Sequence, residues 1–361
     1  MTTSTTVVGL DVLGVDIELS APFGIAGGRQ DVARNVFVRV RLRDGSLGYG
    51  EAAPFPAVNG ETREHALSAL ELARPEVLGS DARRLRALGA RIEEPTRAAP
   101  SARAALECAV LDALGRHARL PLWAYFGGAT SSLRTDITIT TGTLAAAGEA
   151  ARQAASDGFT TLKLKVGGVS FDADVARARA VLAAAPEACL ILDGNEALSA
   201  DETVALVDAL GADRSRLVLV EQPVPADDLD GLRSVRERTT VPVAADESAR
   251  SARDVGRLHR ARAADVVNVK LTKSGLLESL DMIAAARALG LQLMIGGMVE
   301  TRLCMSVSAC LAAGQGGFSF VDLDTPLFLL DEPVSGGFTQ RGPELELCAI
   351  DAGHGATPRW S

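Results

Sequence analysis

Two lysines, Lys163 and Lys165, sit inside the apolar run "TLKLKVGG" at residues 161–168. The alternation marks a strand, and residues i and i+2 of a strand share a face, so both ammonium groups enter one space. Each costs several kcal/mol to desolvate unless an anion faces it. Anions recur further along: Asp193, Glu221 and Asp246 each close a short apolar run, and Glu300, Asp322 and Asp324 follow a third lysine, Lys270. Three carboxylates gathered in a low-dielectric mouth repel one another, and at neutral pH they need protons or a cation. Oxygen donors without nearby Cys or His favour a hard divalent ion, Mg2+ first and Mn2+ as a substitute. Lys163 and Lys165 from one strand, and Lys270 from a strand across the barrel, could put a base on each face of a substrate carbon, as stereochemical inversion requires. Nearness to the ion and to another ammonium is expected to lower lysine pKa values toward neutrality. A single strand-end Asp commonly caps the next helix. Three in step between lysine-bearing strands speak for a shared site.

The elements that must position these groups are legible from the apolar rhythm. Residues 6 to 55 read as strands, with a hairpin turn at Asp44-Gly45 and a glycine-rich stretch, "PFGIAGGRQD", read as a loop long enough to act as a flap. Residues 62 to 118 carry apolar positions at helical spacing, so the first third is α+β. Beyond "LPLWAYFGG" eight strand candidates alternate with Ala- and Leu-rich helical segments: 136–141, 161–166, 189–193, 216–221, 241–246, 264–270, 291–297 and 318–324. Eight such units in roughly 200 residues fit a (β/α)8 barrel, whose active site lies at the carboxyl ends of the strands. The charged residues above fall at those ends.

Composition narrows the function classes. The 361 residues are 47% hydrophobic and 23% charged, with a net charge of -9 and no basic run, which argues against a nucleic-acid partner. No apolar run approaches the roughly eighteen residues of a membrane span, and the amino terminus lacks the pattern of a signal peptide. Cys108, Cys189, Cys304, Cys310 and Cys348 are scattered and odd in number, which fits reduced thiols in a cytoplasm. His65, His117, His259 and His354 fall away from the strand ends, so a His-based triad is not expected. Neither a phosphate-binding G-x-x-x-x-G-K-[ST] nor a G-x-S-x-G is present.

The set formed by "KLK" at 163–165, "LDGNEA" around Asp193, "VEQPV" around Glu221, "ADES" around Asp246 and "NVKLTKSGL" around Lys270 resembles the enolase superfamily. Within it, the chain is similar to the muconate-lactonizing-enzyme-like branch over essentially its whole length. The resemblance implies an α/β fold, a modified (β/α)7β TIM-type barrel with an α+β capping domain. The implied division is residues 1–125 for the cap, 126–330 for the barrel, and 331–361 for a segment returning to the cap. It also implies proton abstraction beside a carboxylate held on Mg2+, the superfamily's general chemistry. "FVDLDTPLFL" resembles the Asp-x-Asp signature of dipeptide epimerases of the L-Ala-D/L-Glu type, whose two acids hold the substrate ammonium.

Carried over residue by residue, the resemblance makes Asp193, Glu221 and Asp246 the metal ligands and Lys165 and Lys270 the acid/base pair. Lys163 would hold the substrate carboxylate, Asp322 and Asp324 the ammonium, and Thr138 and Met298 would touch substrate. The implied partner is a small dipeptide, with self-association common among such barrels. Relatives of the Ala-Glu type carry a basic residue in the flap, whereas "PFGIAGGRQ" offers only Arg29, so a small or apolar second residue fits as well as Glu. The rival within the family is a lyase or cycloisomerase, of the o-succinylbenzoate synthase, muconate cycloisomerase or acid-sugar dehydratase kind. It would share the metal and lysines without needing the acidic pair.

Overall fold

The structure, a computed structural model, describes residues 3–25 and 27–360. Three antiparallel strands, β1 (Val7–Ile25), β2 (Gly28–Leu42) and β3 (Leu47–Ala52), open the chain, and the Asp44-Gly45 turn joins the last two with Gly45 at φ 95°. The helix Pro100–Ala118 lies across β3. It approaches so closely that a Cβ on Gly48 would come 2.2 Å from the Ala109 carbonyl oxygen, and one on Gly50 2.0 Å from that of Ala105. Only glycine permits that contact. Val36, Val38 and Val40 of β2 pack with Leu70, Leu88 and Leu106 to form this cap's core.

The segment expected to be a loop is instead the end of a long hairpin. β1 and β2 pair as far as Ile25 and Gly28, with a register shift between Glu18 and Phe23. The Phe23–Gln30, Gly24–Arg29 and Ile25–Gly28 pairs continue the ladder, whose backbone bonds replace those a free loop would leave to water. Ala26, within that expected flap, lies outside the described residues.

Eight parallel strands pair in sequence order to make the barrel: Ile137–Ile139, Thr161–Lys165, Cys189–Asp193, Leu217–Glu221, Val243–Ala245, Val266–Lys270, Gln292–Gly296 and Phe318–Val321. A helix follows each of the first seven, and a short 3-10 turn, Thr325–Phe328, follows the eighth. The ring is closed between first and last strands by the Asp136 N–H donating to the Val321 carbonyl at 2.9 Å. This is the (β/α)7β form. Inside it, Ile191, Leu219, Ala244, Val266 and Met294 fill the lower layer. Two residues further along the same faces stand Asp193, Glu221, Asp246 and Asn268, so each strand turns from apolar to polar as it reaches the mouth.

Cap and barrel are joined by buried polar contacts. Glu51 of β3 accepts from Thr301 Oγ1 at 2.7 Å, from the Thr301 and Cys304 N–H groups, and from Asn35 Nδ2 at 2.7 Å. It thereby satisfies the amino end of the barrel helix Arg302–Gln315. The carboxyl-terminal segment reaches the cap through His354, whose N–H donates to Asp112 at 2.9 Å. Among the described residues no helix is long and apolar enough to cross a membrane.

Candidate active site

Strand register brings the charged side chains together. Lys165 lies opposite Asp193, and Asp193 opposite Glu221, so three neighbouring strands present them at one height. Lys163 lies opposite Thr138, one step lower. The Lys165 ammonium meets Asp193 at 2.5 Å and Lys270 meets Asp246 at 2.6 Å. Lys163 reaches Asp322 at 2.5 Å and both Asp193 and Glu221 at 3.3 Å. None of the three acids caps a helix; Ser199, Asp228 and Ser251 do that for the helices that follow. The capping alternative is thereby excluded.

Thr138, Lys163, Lys165, Lys270, Met298, Asp322 and Asp324 all line one small cavity beneath the cap, while Asp193, Glu221 and Asp246 lie under the lysines. The cavity holds only about 30 Å3 of free space, room for roughly two waters. Asp322 and Asp324 stand just past the end of the eighth strand, yet converge as their spacing predicts. Asp324 accepts the Thr138 N–H at 2.6 Å. Glu300 is turned away from the mouth: it accepts from Thr272 Oγ1 and the Met298 N–H, supporting the loop after strand seven.

Taken with the acids alone, Lys163 and Lys270 are held in the charged form. Burial disfavours the charge on Lys163, but Asp322, Glu221 and Asp193 outweigh it and hold the group well above its ordinary range. Lys270 is likewise held above it, with Asp246 and Glu221 overcoming burial. The reason is pairing: each ammonium lies within touching distance of a carboxylate, an effect stronger than repulsion between lysines. Burial would raise Asp193, and Lys165, Lys163 and Lys270 together bring it below the usual range. Glu221, with burial and the charge of Asp193 acting together, rises to about 7.

Five features escaped the sequence reading. Lys273 Nζ contacts Asp246 Oδ1 at 2.7 Å, the Asp246 carbonyl at 2.6 Å and the Asn268 carbonyl at 2.8 Å. Burial and Lys270 pull its pKa down, yet all three ammonium hydrogens meet an oxygen, the geometry of the charged form. Asn268 donates to Glu221 Oε1 at 2.7 Å. Glu247 is buried beside Asp246 and pushed up to about 8 by burial and that neighbour's charge. Asp136 lies with Asp322 and Asp324 so that one oxygen of each is within 4.8 Å of the others. Lastly, Phe23, Ile25, Phe55, Val58 and Val299 form an apolar wall. Asn268 precedes Lys270 at strand spacing, a usable signal, whereas Lys273 lies in the short helix that follows; the wall joins distant segments of cap and barrel and has none.

The acids fit a hard divalent ion. Asp193, Glu221 and Asp246 offer only oxygen, are fully or almost fully buried, and come from adjacent strands, Asp246 lying two residues past the Ala244 that pairs with Glu221. Burial first, then the charges of Asp193 and Asp246, hold Glu221 at about 7 against the opposing Lys163 and Lys270.

Fold and mouth together define a class: a capped (β/α)7β barrel with buried acids and lysines at its strand ends. The chain belongs to the mandelate racemase / muconate lactonizing enzyme family, whose N-terminal domain model matches residues 7–127 and whose enolase C-terminal domain-like model matches 145–361. An aromatic dipeptide epimerase from Herpetosiphon aurantiacus is 48% identical over 97% of this chain and 98% of its own. A solved mandelate racemase/muconate lactonizing protein from the same organism superposes with a TM-score of 0.96 at 47% identity, covering 99% of each chain. The dipeptide epimerase of Enterococcus faecalis, solved with Mg and L-Leu-L-Tyr, gives a TM-score of 0.93 at 33% identity over 98% of this chain and 99% of that one. The chain is an isomerase of the racemase and epimerase class.

Proposed function

We propose that this protein epimerises dipeptides at the α-carbon of the carboxyl-terminal residue, using one Mg2+ per active site and preferring apolar side chains. The observation that carries the reading is the placement of Lys165 and Lys270 on the second and sixth of eight strands, facing each other across the mouth over a buried all-oxygen acid set. Asp193, Glu221 and Asp246 would hold the ion, which would supply positive charge to stabilise the substrate carboxylate. Lys163 faces the same carboxylate, and Asp322 and Asp324 receive the ammonium. Lys270 is paired with Asp246 at rest and would have to be released from that carboxylate to act as a base. One lysine then removes the α-proton and the other returns a proton to the opposite face.

The apolar wall supports the side-chain preference. Phe23, Ile25, Phe55, Val58, Met298 and Val299 face the cavity, and its only cations are Lys163, Lys165 and Lys270. Arg29, the basic residue available to a substrate glutamate, lines an outer groove, pairs with Asp31 at 3.3 Å and has 67% of its side chain exposed. A substrate carboxylate at the wall would lose its hydration without a partner. The five cysteines, none paired in a disulfide, support a cytoplasmic location.

Proton NMR in D2O with Mg2+ and L-Ala-L-Phe, L-Ala-L-Ala and L-Ala-L-Glu tests the reading. Exchange and inversion at the second residue, fastest for Ala-Phe, is the expected result. Faster turnover of Ala-Glu would overturn the apolar preference, and exchange with no dipeptide would overturn the reaction.

A further inference from the structure

Asp136 is an acid beneath the mouth with no place in that mechanism. It immediately precedes the first barrel strand, two residues before Thr138 and therefore on the same inward face, one layer deeper. It is 3% exposed, does not line the cavity, and neither carboxyl oxygen has a hydrogen-bond donor among the described residues. The polar groups facing it are Asp322 and Asp324 from the end of the eighth strand and Lys163 from the second. Lys163 is engaged with Asp322 at 2.5 Å.

A carboxylate cannot rest there as an anion. With no donor to replace water, and two further carboxylates close by, ionisation would cost several kcal/mol. As a neutral acid the same side chain gains an O–H, and the group within its reach that most favours accepting it is the Asp322 carboxylate. We propose that Asp136 is a positioning residue, which keeps its proton and donates it to Asp322, fixing that carboxylate between Lys163 and the substrate ammonium. Burial, with the charges of Asp322 and Asp324 added and that of Lys163 opposing, pushes the Asp136 carboxyl well above its ordinary range, in accord with the geometry. Asp322 keeps its full charge toward the cavity while a third negative charge is avoided. The proposal rests on the reading of Asp322 and Asp324 as the ammonium site, but the proton itself does not.

Two measurements separate those parts. In an infrared difference spectrum of the resting protein at neutral pH, wild type minus Asp136→Asn, the carbonyl band of a protonated carboxylic acid is expected; its absence overturns the proposal whether or not any dipeptide reacts. In kinetics, Asp136→Asn retains a donor and keeps KM near wild type, whereas Asp136→Leu raises KM for Ala-Phe roughly ten- to a hundredfold with a smaller change in kcat. An Asn variant that loses substrate affinity overturns the proposal, even if the Leu variant does not fold. A wild type that binds no dipeptide removes the ammonium role alone, since the infrared band still decides the proton.

Discussion

Lys165 and Lys270 carry the sharpest predictions at the scale of single residues. Each touches a different acid from its own side of the mouth, so removing one leaves the other able to exchange a proton on its own face. Lys165→Ala and Lys270→Ala should each lower epimerisation by roughly a hundred- to ten-thousandfold. Each should still exchange the α-proton of one epimer without inverting it, which NMR in D2O would resolve; exchange of both epimers in either variant would break the two-base assignment. Asp324→Asn, which removes a charge from the acidic pair while leaving Thr138 a partner, should raise KM about tenfold or more and leave Mg2+ affinity unchanged by calorimetry. A lyase on the same frame would be indifferent to that change.

Among the elements, the contact between β3 and the helix after strand seven responds to pH. Glu51 is fully buried at that helix's amino end, and burial, with the charge of Glu300 adding and the Thr301 and Asn35 bonds opposing, raises it from 4.5 to about 7. It binds its proton more tightly folded than unfolded. Its contribution to stability is therefore complete below about pH 4.5 and lost as the pH rises through 7, on the order of 3 kcal/mol at most. Melting temperatures measured from pH 5 to 8 should fall less steeply for Glu51→Gln than for wild type; equal slopes would refute the assignment. Elements also show where the sequence was readable. Period-two spacing placed Lys163 with Lys165 and turned Asp193, Glu221 and Asp246 inward, because a strand's geometry is local. The same arithmetic pointed from Thr138 to Asp136 but was not applied to a strand's first residue. Which carboxylate each ammonium meets is a matter of distances across strands, which local spacing does not carry. The apolar wall was invisible because Phe23, Phe55 and Val299 are joined only by tertiary packing.

For the molecule as a whole, the site is a seam between cap and barrel, and a ligand bound there should stabilise both. Mg2+ at a hundred times its Kd should add about 2.7 kcal/mol to unfolding, seen as a raised Tm that chelation reverses. Glu221→Gln should abolish the shift; its persistence would place the ion elsewhere. The hairpin β1–β2 also determines how the molecule cycles. It is fastened to the barrel by Phe23 against Phe328, ring centroids 5.4 Å apart, and by the Leu330 N–H donating to Glu18 at 2.8 Å. With room beneath it for about two waters, a dipeptide enters only if that fastening releases. On the proposed reading, the phenylalanine that would face a substrate side chain is also one that fastens the hairpin over it. Trimming Phe23 to admit more substrates should therefore shorten their residence as well, so that breadth and tempo in this enzyme shift together.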